Sequence, residues 1–190
     1  LATVSFSVGP YSTLMPAIAV RTFESGAQLV GLFIGAVGLG AVISAVSLAR
    51  RPSVRGLAKW IPIATIAAGT GTLGFCFSRS VPLSVFFMAL TGFGIFMTAA
   101  SCNTILQSIV EDAKRGRVMA YYTMFFIGVA PFGHLSAGWL ADHLGVQPTY
   151  IAMGAVALFA GLAFLYQLRT FRAALRPVYV SRGIIPASEK

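Results

Sequence analysis

The chain has 190 residues, of which 57% are hydrophobic and only 10% carry a charged side chain. A soluble globular domain has about 25% charged residues, so this composition excludes an ordinary water-soluble surface. The net charge of +9 comes from short basic segments between long apolar runs, a distribution that favours lipid headgroups and excludes a nucleic-acid-binding patch.

Six apolar runs are long enough to cross a membrane. A transmembrane helix needs about 20 apolar residues, because it rises about 1.5 Å per residue through a hydrocarbon core roughly 30 Å thick. We therefore predict an all-α integral membrane protein with a six-helix bundle over residues 1–168 and a basic, partly disordered tail over residues 169–190. The predicted helices are Leu1–Val20, Gln28–Ala49, Trp60–Phe77, Val81–Val110, Val118–Ala141 and Thr149–Leu168.

Prolines and glycines mark weak points in three of these helices. Pro10 and Pro16 lie in the first run and Pro131 lies in the fifth. The fourth run is long for one crossing, and Gly92 and Gly94 within it would permit a bend or a strong tilt.

Small residues in the second and third runs predict close helix packing. In the second run, Gly31, Gly35, Gly38, Val42 and Ala45 recur at three-or-four spacing and form a smooth stripe that another helix can approach.

The third run contains a literal dinucleotide-binding fingerprint, Gly69-Thr70-Gly71-Thr72-Leu73-Gly74. That motif must follow a strand and precede an acidic residue about 20 positions later, and this stretch lacks both. Close packing of a membrane helix is therefore the favoured interpretation.

The connecting segments alternate in charge. Lys and Arg concentrate on the cytoplasmic side of short loops, so we predict a plasma membrane protein with both ends of this segment, and the second and fourth loops, in the cytoplasm. The opposite side has only Arg21 and Arg79, and the loops around Glu24, Arg79 and Asp142 then face outward. The basic side contains Arg50, Arg51, Arg55, Lys59, Lys114, Arg115, Arg117, Arg169, Arg172, Arg176, Arg182 and Lys190.

Few residues are candidates for catalytic or metal chemistry. Asp142 and His143 are predicted to lie in water at the outer end of the fifth helix, whereas His134 lies about two turns deeper. We expect no metal, no cofactor and no catalytic site, because these three residues are too few for a zinc site. For His134, a hydrogen-bonded structural role and a role in substrate or proton binding both stay open.

Polar residues in the fourth helix indicate a binding site. Asn103 and Gln107 lie four residues apart on one face, and amides in hydrocarbon need a partner or a wet cavity. Both interpretations stay open, as does an interfacial role for the tyrosines. The candidate substrate-binding residues are Tyr11, Asn103, Gln107, Tyr122 and His134.

Several of these stretches resemble a known family. Asn103–Gln107, Glu111–Ala120, Pro131–Gly133 and Gly138–Gly145 are similar to the tenth helix, the following loop and the eleventh helix of major facilitator superfamily transporters. The likeness is greatest to the drug and siderophore exporter branch. It covers nearly the whole chain up to about Arg172, and the helix order fits helices seven to twelve, the C-terminal half.

The resemblance also implies roles for the basic loops. Arg50, Arg51, Arg55, Arg115 and Arg117 become candidate gate residues. The family signature has an acidic residue in this loop, and the loop with Arg50, Arg51 and Arg55 has none. Asp142 lies in the similar stretch Gly138–Gly145, but it is predicted to lie outside the cell, so we assign it no gating role.

Three functions compete. The first is secondary active export of a small amphipathic molecule by alternating access, with the other six-helix half and the lipid bilayer as partners and protons as a candidate coupling ion. The second is a truncated or split half that pairs with another chain and transports nothing alone. The third, a membrane hydrolase built on His134 or His143, lacks the polar cluster that such a site needs. We favour the first.

Overall fold

The computed structural model describes residues 1–23, 27–51 and 53–181, without the side chains of residues 21–23, 178 and 181. Every regular element in these ranges is a helix. Arg182, Lys190 and Glu24 lie outside the described residues, as does the side chain of Arg21. The helices are α1 (Ala2–Ser7), α2 (Tyr11–Phe23), α3 (Ala27–Ala49), α4 (Leu57–Phe77), α5 (Val81–Ile109), α6 (Asp112–Ile127), α7 (Ala130–Leu144) and α8 (Val146–Ser181).

The predicted all-α membrane class is confirmed. In the described part of the chain, five helical spans are long and apolar enough to cross a membrane, and α6 and α7 together form one of them. The span predicted over Leu1–Val20 is divided into α1 and α2, with the break at Pro10, one of its predicted weak points.

Two breaks follow from proline. Proline has no N–H, and its ring collides with the carbonyl group four residues earlier, so a helix ends shortly before it. Pro10 lies between α1 and α2, and Pro131 lies in the first turn of α7 after the break at Gly128. Pro16, by contrast, lies inside an unbroken α2.

The fourth predicted helix is confirmed in its extent, and the sixth is longer than predicted. Helix α5 runs unbroken through Gly92 and Gly94 for 29 residues, which is roughly 44 Å at the usual rise and longer than one perpendicular crossing. Helix α8 continues beyond Leu168 to Ser181, so the described part of the predicted tail is helical.

Glycines bring α3, α4, α5 and α8 into backbone contact. A Cβ at Gly40 on α3 would overlap the carbonyl oxygen of Ala89 on α5, and a Cβ at Gly92 on α5 would overlap the carbonyl oxygen of Val37. On the other side of α5, a Cβ at Gly94 would overlap the backbone of α4. These four helices therefore form a closely packed group in which α5 lies between α3 and α4.

The glycines of the fingerprint-like stretch are packing residues. A Cβ at Gly69 would lie 2.6 Å from the backbone nitrogen of Leu158 on α8, and one at Gly71 would lie 2.7 Å from the carbonyl oxygen of Phe87 on α5. Gly74 meets the Phe87 ring. The interpretation of this motif as helix packing is confirmed.

The small-residue stripe of α3 points away from this group. Gly31, Gly35 and Gly38 have open space where a Cβ would stand, and Val42 is 58% exposed. The contact glycine of α3 is Gly40, which lies on another face of the helix. The predicted stripe thus forms an exposed, smooth surface of the described chain.

Candidate functional site

The two broken helices meet at their breaks. The Ser5 hydroxyl on α1 donates a hydrogen bond to the carbonyl oxygen of Phe126 on α6. A Cβ at Gly133 on α7 would overlap the carbonyl oxygen of Phe6. A helix break leaves carbonyl groups without their usual N–H partners, so this side-chain donor satisfies one of them across the junction.

His134 takes part in the same junction. Its Nδ1 lies 2.5 Å from the Thr13 hydroxyl on α2. When the imidazole is neutral with an unprotonated Nδ1, the threonine hydroxyl donates; when the ring carries both protons, Nδ1–H donates to the hydroxyl oxygen. The contact is therefore compatible with both charge states of the histidine.

Tyr11 lies at the start of α2, directly after the proline break. Its half-buried side chain packs against the core formed around Met15 and Tyr150. The Tyr150 hydroxyl on α8 donates a 2.6 Å hydrogen bond to the Tyr11 carbonyl oxygen. The structure thus ties the break in the first span to α8.

Asn103 and Gln107 are bonded to each other near the end of α5. The Gln107 Nε2 donates to the Asn103 Oδ1 at 2.6 Å, and Asn103 is half-buried while Gln107 is exposed. The bond uses one polar atom of each amide. The Nδ2 of Asn103 and the Oε1 of Gln107 are chemically able to bind a substrate.

Tyr122 lies at a different place, on the wall of an apolar cavity of about 520 Å³. Its hydroxyl donates a 2.9 Å hydrogen bond to the carbonyl oxygen of Ala99 on α5, which leaves the ring facing the cavity. The volume is in the usual range for a small-molecule site. An adjoining cavity of about 440 Å³ shares four lining residues with it, namely Leu1, Ile61, Cys102 and Phe171.

The five candidate residues are not brought together in one pocket. Tyr11 and His134 belong to the junction of the broken helices, Tyr122 belongs to the apolar cavity, and the amide pair lies elsewhere on α5. With 3.6 residues per turn, Asn103 lies about 100° around α5 from Cys102, which faces the cavity. Their joint role in one substrate site stays a prediction.

Two of the five candidate gate arginines, Arg51 and Arg115, form local side-chain contacts. Arg51 stacks over the Trp60 ring, with its guanidinium carbon 4.7 Å from the ring centroid. Arg115 forms a 2.6 Å ion pair with Asp112 one turn earlier. Arg50, Arg55 and Arg117 are exposed. These contacts are local and solvent-exposed, so they contribute little stability, and a gating role stays a prediction.

The last turn of α7 contains a contact between His143 and Trp139. The His143 ring stacks on Trp139 with centroids 4.3 Å apart, and its Nδ1 lies 2.8 Å from the Trp139 carbonyl oxygen. Asp142 is exposed. The described residues contain no group of three His, Cys, Asp or Glu side chains arranged for a metal ion.

The sequence did not indicate three contributors to these sites. Ser5 lies one turn before the Gly9-Pro10 break, but the carbonyl group that it satisfies belongs to Phe126 on α6, and no sequence pattern connects these two positions. Thr13 follows Pro10 by three residues, and its contact with His134 likewise joins two distant segments. The apolar cavity has no sequence signal, because it arises from gaps between side chains of several helices.

The chain is similar to known membrane transporters. A family model described as transmembrane secretion effector matches residues 3–179. The Staphyloferrin A transporter of Staphylococcus aureus (strain NCTC 8325 / PS 47) is 25% identical over 167 residues, which cover 87% of this chain and 41% of the relative. The Multidrug efflux pump Tap of Mycolicibacterium fortuitum is 28% identical over 158 residues, which cover 81% of this chain and 37% of the relative.

The chain therefore spans about two fifths of the length of these relatives. No solved structure gives a significant match. The family and both relatives are transporters rather than enzymes, and the long apolar helices agree with an integral protein of the plasma membrane. Because the family model covers most of its length, this chain belongs to the transmembrane secretion effector family of the major facilitator superfamily.

Proposed function

We propose that the chain forms one half of a secondary active transporter that exports a small amphipathic molecule by alternating access. The observation that carries the proposal is the match of residues 3–179 to a transporter family whose relatives include a siderophore transporter and a drug efflux pump. In such transporters two bundles rock around a site near the bilayer midplane. The partner of this chain is then a second six-helix half.

The packing of the helices supports the proposal of two halves. The exposed glycine stripe of α3 gives a smooth surface for a partner bundle, since glycines let two helix backbones approach closely. The amide pair lies near the end of α5, where Gln107 is exposed and Asn103 is half-buried. We propose that Asn103 and Gln107 bind polar groups of the substrate between the two halves.

His134 is our candidate for proton coupling. When the neutral imidazole carries its proton on Nε2, a second proton on Nδ1 keeps the contact with Thr13 but reverses the direction of the hydrogen bond. Because Thr13 and His134 lie on the two broken spans, a change at this contact acts on both. Intramembrane ionisable groups are often functional for this reason.

The proposed amide site is tested by Asn103→Ala and Gln107→Ala in the full-length transporter. We expect each substitution to lower ethidium efflux from cells about tenfold, the loss expected when one hydrogen bond to substrate disappears. The amount of folded protein, measured by fluorescence-detected gel filtration, should stay near the wild-type level.

Gln147→Ala is the matched control, because Gln147 is an exposed glutamine at the outer end of α8. It should leave both readouts unchanged. If efflux and folded protein fall together in Asn103→Ala and Gln107→Ala, the amide pair is a packing feature, and the proposed substrate contact is wrong.

The second candidate is a half that transports only when assembled with another chain. The coverage of about two fifths of each relative favours it for the segment described here. Both candidates predict efflux only when this segment is expressed together with an N-terminal six-helix half, and they differ in whether that half belongs to the same polypeptide. An immunoblot of the native membrane protein separates them, since one polypeptide with both halves would have about twice the 20.0 kDa of this chain. Efflux from the segment alone would contradict the need for a partner.

A further inference from the structure

The apolar cavity lies at one end of the bundle, between the start of α1, where Leu1 and Ala2 line it, and helices α4, α5, α6 and α8. Its wall includes Ile61, Ile105, Val118, Phe171 and Leu175, together with the ring of Tyr122. Almost all the groups that face it are apolar, so water inside it would find few partners. A hydrocarbon chain matches such a surface.

Positive charge accumulates at this end of the bundle. Val118, Phe171 and Leu175 line the cavity, and each is followed or preceded directly in the chain by an arginine. These neighbours are Arg117, Arg172 and Arg176, and all three are exposed. Arginine side chains near the end of a membrane helix extend towards the headgroup region, where they attract anionic lipids.

A buried hydroxyl lies one helical turn beyond Leu175. Tyr179 packs in the same apolar cluster as Ile61, Ile105 and Leu175, and its hydroxyl has no hydrogen-bond partner among the described residues. A buried donor of this kind costs free energy unless an acceptor reaches it. A phosphate oxygen is a suitable acceptor, and it would lie near the arginines.

Helix α6 gives lateral access to the cavity. None of its residues is buried, although Val118, Tyr121, Tyr122 and Phe125 form one wall of the cavity. A wall that packs this loosely can separate from the bundle at a small cost. A ligand that diffuses in the bilayer can therefore enter from the side.

We propose that this cavity binds one acyl chain of an anionic phospholipid, whose phosphate lies at Arg117, Arg172 and Tyr179. The apolar wall fits the chain, the charge and the unpartnered hydroxyl fit the headgroup, and the membrane supplies the ligand. The site is separate from the amide pair on α5, so the proposal does not depend on the transported substrate.

The test uses the full-length transporter in detergent and two lipids, phosphatidylglycerol and phosphatidylcholine, each with a diazirine in one acyl chain. We expect phosphatidylglycerol to crosslink to residues 102–109, 118–125 and 171–175 and to remain bound in native mass spectrometry. Arg117→Gln and Arg172→Gln should each weaken phosphatidylglycerol binding about fivefold, the effect of one basic residue near an anionic headgroup. Phosphatidylcholine binding should stay unchanged.

Two substitutions test the cavity itself. Ile105→Trp fills it and should abolish the crosslinks, whereas Leu162→Trp, on the exposed surface of α8, should leave them intact. Tyr179→Phe should weaken binding of phosphatidylglycerol alone.

Three outcomes would overturn the proposal. The first is equal binding of the two lipids, and the second is unchanged crosslinking in Ile105→Trp. The third is displacement of phosphatidylglycerol by oleate or by ethidium at equal concentration, which would assign the cavity to a free fatty acid or to the transported molecule.

Discussion

The described chain has two regions that pack by different means. Helices α3, α4, α5 and α8 meet through glycines at backbone distance, and α4 and α5 each have eleven buried residues. The broken spans, α1 with α2 and α6 with α7, meet at one glycine contact, Gly133 against Phe6, and at two side-chain hydrogen bonds, from Ser5 and between Thr13 and His134. Helix α2 also shares an apolar cluster with Ala137 of α7, whereas α6 has no buried residue. Backbone contacts on four helices leave little room for movement, whereas a helix without buried residues separates from its neighbours at a smaller cost. We therefore expect the first region to act as a scaffold and the broken spans, above all α6, to be the part that moves.

The largest expected effect comes from adding a side chain to the scaffold. Gly92→Leu places atoms against the α3 backbone, which has no flexible side chain to displace. We expect a loss of more than about 3 kcal/mol in the free energy of unfolding and no recoverable folded protein, because the two helix backbones cannot shift enough to make room for the leucine. The yield of monodisperse protein in gel filtration measures this loss of folded protein.

Gly138→Leu is the control for this prediction, since a Cβ at Gly138 on α7 would have open space around it. This variant should insert and fold as the wild type does. Equal yields of the two leucine variants would show that the close approach of α3 and α5 is not needed for folding.

A smaller effect, on transport and not on folding, is expected from Pro131→Ala in the moving part. Alanine restores the N–H and removes the ring collision, so α6 and α7 can join into one helix. We expect efflux to fall about tenfold with little change in yield, because hinge positions affect turnover more than stability. Pro16→Ala is the matched control, since α2 already continues through Pro16. Normal efflux from Pro131→Ala would mean that the break is dispensable.

The smallest effect should come from Ser5→Ala. It leaves the Phe126 carbonyl oxygen without its donor at the junction, which costs about 1 kcal/mol. Thermal unfolding monitored by tryptophan fluorescence measures the loss. Ser7→Ala is the control, because the buried Ser7 hydroxyl donates only to the Thr3 carbonyl oxygen of its own helix. The melting temperature of this variant should stay closer to that of the wild type. A larger loss in Ser7→Ala would contradict the role of Ser5 between the spans.

The membrane class and most spans were predictable, because apolar length is a direct requirement of the bilayer. The proline breaks at Pro10 and Pro131 were also visible as weak points. The end of α8 was missed, since hydropathy measures continuous apolar length. Beyond Leu168, the buried residues Leu175 and Tyr179 recur four residues apart among arginines, which is the pattern of an amphipathic helix.

The candidate site was less predictable, because contact depends on the rotation of each helix. Helix α3 contains both the stripe through Gly35 and Gly38 and the contact residue Gly40. Only the position of α5 decides which of these glycines is in contact with another helix. Asn103 and Tyr122 were grouped by polarity, yet they lie on different surfaces. The cavity beside Cys102 is defined by space among several helices, which no single segment encodes.

The two glycines at the centre of α4 fix the rotation of this helix relative to two neighbouring helices. Gly69 contacts α8 and Gly71 contacts α5, and residues two apart on a helix point about 200° away from each other. One inserted residue between them would turn one glycine about 100° and put a side chain against a neighbouring backbone. The third span therefore tolerates exchange of its lipid-facing side chains but not a change in its length at this point.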